Sequence, residues 1–509
     1  MRRHEVKGTI TVFLSLLSVI FLSLICTVIE SARVAGARAQ TANITDMGNY
    51  SVFSEYEKKL LEKYEIFSID GSYGTGEFSI DKVNERMKQF MNRNLPTERS
   101  GVRGGGFDPW RLQIDNCEIE EYALLTDNNG EAFYQQVVSY MKNTAVSGAV
   151  GKLYQYHHDA QTSQSNQGEY DRRKRSSDQE MKQLEQQEEE KKKELQNQAV
   201  TDLTVTEPGT VEEIKKENPL RALSRLRRKS TLDIVCGGKQ ISEKRIKRHG
   251  VPSLRKLQKG SMEIKKENSG LTSDLFFREY LLDHFPNYLD GEHSGKLDYQ
   301  IEYIIGGKRT DRGNLSATVQ KLLLLREGAN YLYCVRDEAM SAEAGGLAAL
   351  LIGWTCIPEL IPVMKHALLL GWAYGESLLD VKTLMDGGKV ELFKMPGSWR
   401  LSLEQLGNIG ELLELDGSGQ QNGMGYQDYL RILLNLQGTS TQQKRALDLI
   451  ELDISSQPGL SNFQADHCVV GIKEQTDWVI HPVFWRVPAV FLNAAPEMLS
   501  VQVQSRFEY

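Results

Sequence analysis

The sequence predicts an α+β protein hung from an N-terminal transmembrane helix. Three observations carry that expectation. Residues 10–29 form an apolar run without a charge, about the ~20 residues a helix needs to cross a bilayer. Residues 268–435 show long stretches of helical spacing rich in Leu and Ala, and residues 499–509 alternate apolar and polar for part of their length, as a half-buried strand does. The expected architecture is an N-terminal transmembrane helix extended as a stalk, a mixed α/β extracytoplasmic part, a mainly helical central domain and a β-rich C-terminal end.

In order, 1–8 is a basic cytoplasmic leader and 9–30 the transmembrane helix. Arg2, Arg3 and Lys7 stand before the helix against Glu5, and this positive-inside bias places the N-terminus in the cytoplasm and the bulk outside. A cleaved signal is the competing reading, with A-x-A patterns at Ala35-Gly36-Ala37 and Ala37-Arg38-Ala39. The apolar run is longer than a signal core, and those sites lie well past its end. Thr11, Ser15, Ser18 and Cys26 fall on one helix face, with Ser23, Thr27 and Glu30 beside it. Small polar residues there allow close approach of a partner helix, although Ser and Thr are also simply tolerated in such helices. Residues 31–65 contain no proline and read as a helical stalk, the layout of a pilin or pseudopilin.

Residues 66–160 read as an α+β extracytoplasmic region: a strand and turn at 67–76, a helix at 79–92, a strand at 112–125 and a helix at 130–156. Residues 161–262 form a charged linker, disordered or a solvated helix, because 172–198 holds too few apolar residues for an a/d seam. Residues 213–259 carry 15 Lys+Arg against 4 acids, a local charge of +11 that leaves −18 for the rest of a chain whose total is −7. Residues 263–440 form the mainly helical domain, with helices at 271–288, 315–333 (capped by Asn314), 339–353, 361–385 and 426–436, and a hairpin at 389–403. Pro358, Glu359, Pro362, Lys365 and His366 interrupt 345–374, so a second span is not expected. Residues 441–509 turn β-like after a helix at 442–452.

The composition excludes a globally basic nucleic-acid binder and a disulfide-dense scaffold. Catalytic and metal motifs are missing. Gly306-Gly-Lys-Arg-Thr310 has the flavour of a phosphate loop but has Glu302 where Gly is required and Arg309 where Ser or Thr belongs. Asp416-Gly-Ser-Gly-Gln-Gln has Gln421 at loop position six, where a calcium loop requires glycine. No catalytic residue, cofactor or metal site is expected. Residues 113–120 and 464–471 echo one another with the cysteines in register. Eight residues are few enough for chance; if the echo is structural, Cys117 and Cys468 lie on neighbouring strands and can be bridged outside the cell.

The segment KGTITVFLSLLSVIFLSLICTVIESARVAGARAQ, with 301–308, 314–325, 333–390 and RALDLIELDI…DHCVVGIK, resembles an uncharacterised group of single-pass bacterial membrane proteins encoded beside tight-adherence (Tad) pilus genes in Gram-positive anaerobes. More distantly, the N-terminus is similar to the TadE/TadG pseudopilins. Those carry Glu at the fifth helix position after a Gly; here Gly8 is followed by Phe13 at that position, and the helix-associated acid is Glu30. The resemblance implies a non-enzymatic membrane-anchored component, minor pseudopilin-like, of a Tad-type pilus or secretion apparatus. Its partners would be other pilin-like or pilus-assembly membrane proteins and the membrane itself. The alternative is an anchored envelope-binding protein unrelated to pili, contacting cell-wall polymer or anionic lipid through 213–259. Neither reading involves nucleic acid.

Overall fold

A computed structural model describes residues 5–95, 108–144, 149–199, 219–247, 250–291, 295–355, 357–415, 417–485 and 498–509. The protein is α+β, mainly helical, with one small antiparallel sheet. It divides into two units: Met1–Val137, Arg255–Glu267 and Asp453–Tyr509 form one, and Val138–Leu254 and Asn268–Leu452 the other. The first is assembled from three separate chain segments, a partition that differs from the linear succession expected from the sequence.

The first unit is organised by α1 (Glu5–Phe53), a helix of 49 residues. Its two halves obey different rules. Ile10, Phe13, Leu14, Leu16, Ile20, Phe21 and Leu24 are all exposed. In the C-terminal half Ala37, Thr41, Ile44, Thr45, Asn49, Val52 and Phe53 are buried, at the three- and four-residue spacing of one helix face. After a break come α2 (Lys58–Tyr64), the two-residue strand β1 (Ile69–Asp70) and α3 (Ile80–Asn94), which presents Val83, Met87 and Met91 to the core.

The sheet contains β2 (Leu112–Leu124), β3 (Cys468–Ile480) and β4 (Leu499–Glu508). β3 is central. It pairs antiparallel with β2 along one side and with β4, then β1, along the other. Strand β4 alternates as its sequence predicts, Val501, Val503 and Phe507 turning inward and Ser500, Gln502, Gln504 and Arg506 outward. The core between α1, α3 and the sheet includes Ile44, Val52, Phe53, Met87, Ile119, Ile472 and Trp478, each large apolar side chain worth roughly 1.5–3 kcal/mol when fully buried. Residues 255–267 form a strap along the end of β2, where the Ser261 and Met262 amides donate to the Tyr122 carbonyl at 2.8 and 2.9 Å.

Helix α4 (Glu131–Thr144) leads out of the first unit. The second unit takes in the end of α4 and then α5 (Ala149–Ala199), a single helix of 51 residues. Much of the segment expected to be a linker is therefore ordered helix, and its central part is packed. Leu153, Ala160, Ser163, Tyr170, Ser177 and Leu184 are buried, at the three- and seven-residue steps of a heptad seam. Small serines occupy core positions of that seam, so no apolar repeat announced it. Two short helices follow, α6 (Pro219–Arg227) and α7 (Thr231–Cys236), then α8 (Leu271–His284) and α9 (Gln300–Gly306). The centre is built on α10 (Asp311–Arg336) and α12 (Leu360–Met385), which pack along each other with α5 against both. Helix α11 (Glu338–Ile352) connects them, and α13 (Tyr426–Asn435) and α14 (Thr439–Ile454) complete the unit. Gly328 of α10 is where α5 comes closest: a Cβ there would meet the Gln167 backbone at 3.1 Å.

Three local expectations are corrected. Helix α10 is capped by Thr310, whose hydroxyl accepts from the Gly313 amide at 3.1 Å; Asn314 is buried, and its Oδ1 accepts from the Lys308 amide at 2.6 Å. Residues 389–403 are irregular rather than a hairpin, with one isolated bridge from Val390 to Met424, because Lys394 and Arg400 are drawn inward to buried acids. The stalk is not one uninterrupted helix, since residues 54–57 separate α1 from α2.

Candidate functional site

The candidate site is the open N-terminal half of α1 and its junction with the sheet. Thr11, Ser15 and Ser18 are exposed on the open half. The Ser15 hydroxyl donates to the Val12 carbonyl at 2.8 Å and the Thr27 hydroxyl to the Ser23 carbonyl at 2.8 Å, so these polar groups are satisfied within the helix and leave a small, close-packing surface. Cys26 and Glu30 are placed differently. Both are buried, and Glu30 belongs to the chain's own interior.

The Glu30 carboxylate accepts from Arg33 Nη2 at 2.6 Å and from the Val483 and Phe484 amides at 3.3 and 2.9 Å. Arg33 also donates to the carbonyls of Pro109, Trp110 and His481 at 3.1, 2.7 and 2.9 Å. One buried ion pair thus clamps the helix to the start of β2 and the chain leaving β3. Just above it, a Cβ on Gly36 would meet the Trp110 ring at 2.5 Å. The helix axis is fixed relative to the sheet at the point where the apolar half begins. Sequence reasoning grouped Glu30 with the helix-packing face; the pairing with Arg33 one turn later was the available signal, and the Val483 and Phe484 partners had none.

Higher on α1, Asn49 Nδ2 donates to Glu474 Oε1 on β3 at 2.9 Å and to the Ser505 hydroxyl on β4 at 3.1 Å. Glu474 is fully buried, and burial pushes its carboxyl up to about 8 despite hydrogen bonds from Asn49, Cys117 and Thr476. Cys117 and Cys468 do lie on neighbouring strands. They are not bridged: Cys117 is opposite Thr476, eight positions along β3 from Cys468, and both thiols are free. Eight strand residues span about 27 Å, far beyond disulfide reach. Burial pushes the Cys117 thiol up to about 12, which leaves it protonated and unreactive.

In the second unit the most concentrated chemistry is a buried ionic network that no sequence motif announced. Arg326 on α10 binds Asp380 on α12 through Nε and Nη2, at 3.1 and 2.9 Å, and donates to Asn330 Oδ1 at 3.0 Å. Lys394 reaches both Glu376 and Asp380, and Arg400 Nη2 meets Asp380 Oδ1 at 2.9 Å. Burial alone would raise the Asp380 carboxyl, but Arg326, Lys394 and Arg400 hold it well below the usual carboxylate range. A cavity of about 240 Å³ lies over this network, lined by Asp380, Lys394 and Arg400 among others. Each of these charges already has a partner inside the protein, so the network pins the 389–401 loop across the helix pair and presents no uncommitted base or nucleophile. The spacing Glu376/Asp380 and Arg326/Asn330, four residues apart on facing helices, is the signal that was legible in principle.

Among the described residues no group of three or more His, Cys, Asp or Glu side chains is placed to hold a metal ion. Asp416, the first residue of the calcium-like segment, lies outside the described residues, as do 213–218 and 248–249 of the basic stretch.

A family profile covers just over half of the 509 residues, matching 209–480. The chain belongs to the family of unknown function DUF5702. Nothing among the curated proteins matches it, and no solved structure does. The matched stretch contains the Arg326–Asp380 network and strand β3, and starts after α1 and α5.

Proposed function

We propose that this chain is a non-enzymatic, membrane-anchored extracytoplasmic component of a Tad-type pilus or secretion apparatus, built like a minor pseudopilin. The observation that carries the reading is α1, long and apolar enough to cross a membrane. Its apolar half is almost wholly exposed, while its other half is sealed onto an antiparallel sheet. An apolar helix surface of that extent is unstable in water and has two natural partners, lipid and other apolar helices. A rigid Glu30–Arg33 clamp at the junction is what a subunit needs if the outer part is to keep a fixed direction relative to a packed helix bundle.

On this reading the N-terminus is cytoplasmic and the bulk extracytoplasmic, and the anchor is retained. Ala37, in both A-x-A patterns, is fully buried within α1, where a peptidase has no access to an extended backbone. The partners are pilin-like or pilus-assembly membrane helices that approach over Thr11, Ser15 and Ser18. The non-enzymatic assignment is supported by the ionic network, whose charges are spent on each other.

The test replaces Ser15 and Ser18 together by Leu. The span stays apolar, so membrane levels should be unchanged. The small face is filled, and contacts of this kind contribute roughly 1–2 kcal/mol each at most, so co-purification of pilus proteins with the tagged chain should be lost. Unchanged co-purification would make α1 a mere tether and favour the envelope-binding alternative. A gene neighbourhood without a pilus ATPase and Tad membrane proteins would sink the pilus reading outright.

A further inference from the structure

We propose that the second unit carries a phosphoryl-binding pocket between the α9–α10 turn and the start of α14. This cavity of about 280 Å³ is lined by Lys308, Arg309, Lys444 and Arg445, with the hydroxyls of Ser253 and Thr441. No carboxylate lines it. Several other cations of the unit are matched: Lys239 to Asp386 at 2.7 Å, Lys244 to Asp298 at 2.7 Å, Arg431 to Glu279 at 2.7 Å. Among the described residues none of the four pocket cations forms an ion pair. The nearby Asp448 offsets part of the charge on Arg445, and its carboxylate also accepts from the Ser253 amide and hydroxyl at 2.8 and 2.6 Å and from the Tyr303 hydroxyl at 2.7 Å. Those bonds hold the Ser253 segment in the pocket wall.

The backbone is shaped for this. Gly307 ends α9 at φ +65°, and a Cβ there would meet the Arg445 guanidinium at 2.3 to 2.8 Å. Glycine therefore lets Arg445 close over the turn, where its Nη1 donates to the Ile304 carbonyl at 2.7 Å and the rest of its fork remains for a ligand. Arg445 is pushed down by burial, and so is Lys321 behind it, which also feels Arg445. Burial outweighs the opposing pull of Asp448 on Arg445, so an anion entering the pocket would meet incompletely compensated positive charge. Thr441 lies in the first turns of α14, whose N-terminal dipole adds to the field. Four convergent cations, the Thr441 hydroxyl and a helix start fit a compact tetrahedral dianion, which an arginine fork binds bidentately. The volume is below that of sites for drug-sized ligands, so the pocket takes a phosphate group and little of what bears it. The glycine-lysine pair at 307–308 is part of the segment that failed as a nucleotide loop; the structure gives its lysine a different setting, facing a second basic segment 136 residues away (444 − 308).

The phosphoryl group has two sources: a free phosphate or phosphomonoester, or the phosphodiester of a lipid headgroup or wall polymer. The full chain in detergent micelles is titrated by calorimetry, at constant ionic strength, with inorganic phosphate in one arm and glycerophosphoglycerol in the other. Saturable binding in at least one arm is expected, and the arm that binds identifies the source. The Lys308→Gln/Lys444→Gln double variant, both side chains exposed, should weaken binding at least tenfold with its unliganded melting temperature unchanged. Lys296→Gln, elsewhere on the unit, should not change binding. No saturable binding in either arm, or equal weakening by Lys296→Gln, overturns the proposal.

Discussion

At the scale of single residues, charges that sequence inspection would leave on the surface are the ones buried. Glu30 and Arg33 have side-chain exposures of 1% and 5%, so removing one leaves the other as an uncompensated buried charge. Glu30→Ala should destabilise the first unit by about 3–5 kcal/mol, read as an earlier denaturant midpoint in micelles with insertion intact. A midpoint unchanged within error would show that the clamp does not hold the helix to the sheet. Glu474 makes the opposite kind of prediction. Its folded carboxyl is raised from 4.5 to about 8, so between those values the folded state holds a proton that the unfolded state has lost. Stability should therefore fall as pH rises from about 4.5 to about 8. Glu474→Gln should flatten that slope in melting temperature against pH; an identical slope in the variant would assign it to other groups.

At the scale of elements, helix contact is set by what is missing from side chains. Gly36 faces the Trp110 ring at a distance no Cβ tolerates, whereas Gly168, in the middle of α5, has nothing within 4 Å of its virtual Cβ. Gly168→Ala should therefore stabilise by up to ~1 kcal/mol through helix propensity. Gly36→Ala should destabilise despite the same propensity gain, because the indole must move. Thermal melts of the two variants give opposite signs, and a matching sign would mean that Trp110 yields freely. Much of this level was legible. The apolar run, the alternation of β4 and the boundaries of α10 to α14 follow from periodicity, which is local. The packing of α5 was not legible, since its seam is made of Ser163, Tyr170, Ser177 and Leu184 rather than a leucine repeat, and its partner Gly328 is far away in the chain.

At the scale of the whole molecule, α10 and α12 should be more sensitive to acid than β3. Asp380 is held below its ordinary value of 3.8 by three cations, and Asp386 is lowered too, by Lys239 and Lys382 against the effect of burial. Their stabilisation is complete above the unfolded value and is lost as pH falls through the folded one. Glu474, in the first unit, is protonated across that range and contributes no loss. Hydrogen exchange between pH 5 and pH 3, corrected for intrinsic rates, should show protection falling first in α10 and α12 and later in β3. Simultaneous loss would mean that acid sensitivity does not follow these carboxylates.

The sequence by itself determined the class of the protein, its apolar N-terminal helix and the approximate extents of α3, β2, β4 and α10 to α14, because hydrophobic period acts within a few residues of chain. It also exposed Thr11, Ser15 and Ser18 as a small-residue face. Only the tertiary structure decided that Cys26 and Glu30 leave that face for the interior, that Cys117 and Cys468 sit eight positions out of register, and that Lys308 and Arg445 share one pocket. These are contacts between segments up to hundreds of residues apart. They are selected by how whole faces fit and how buried charges find partners, and no local spacing encodes that.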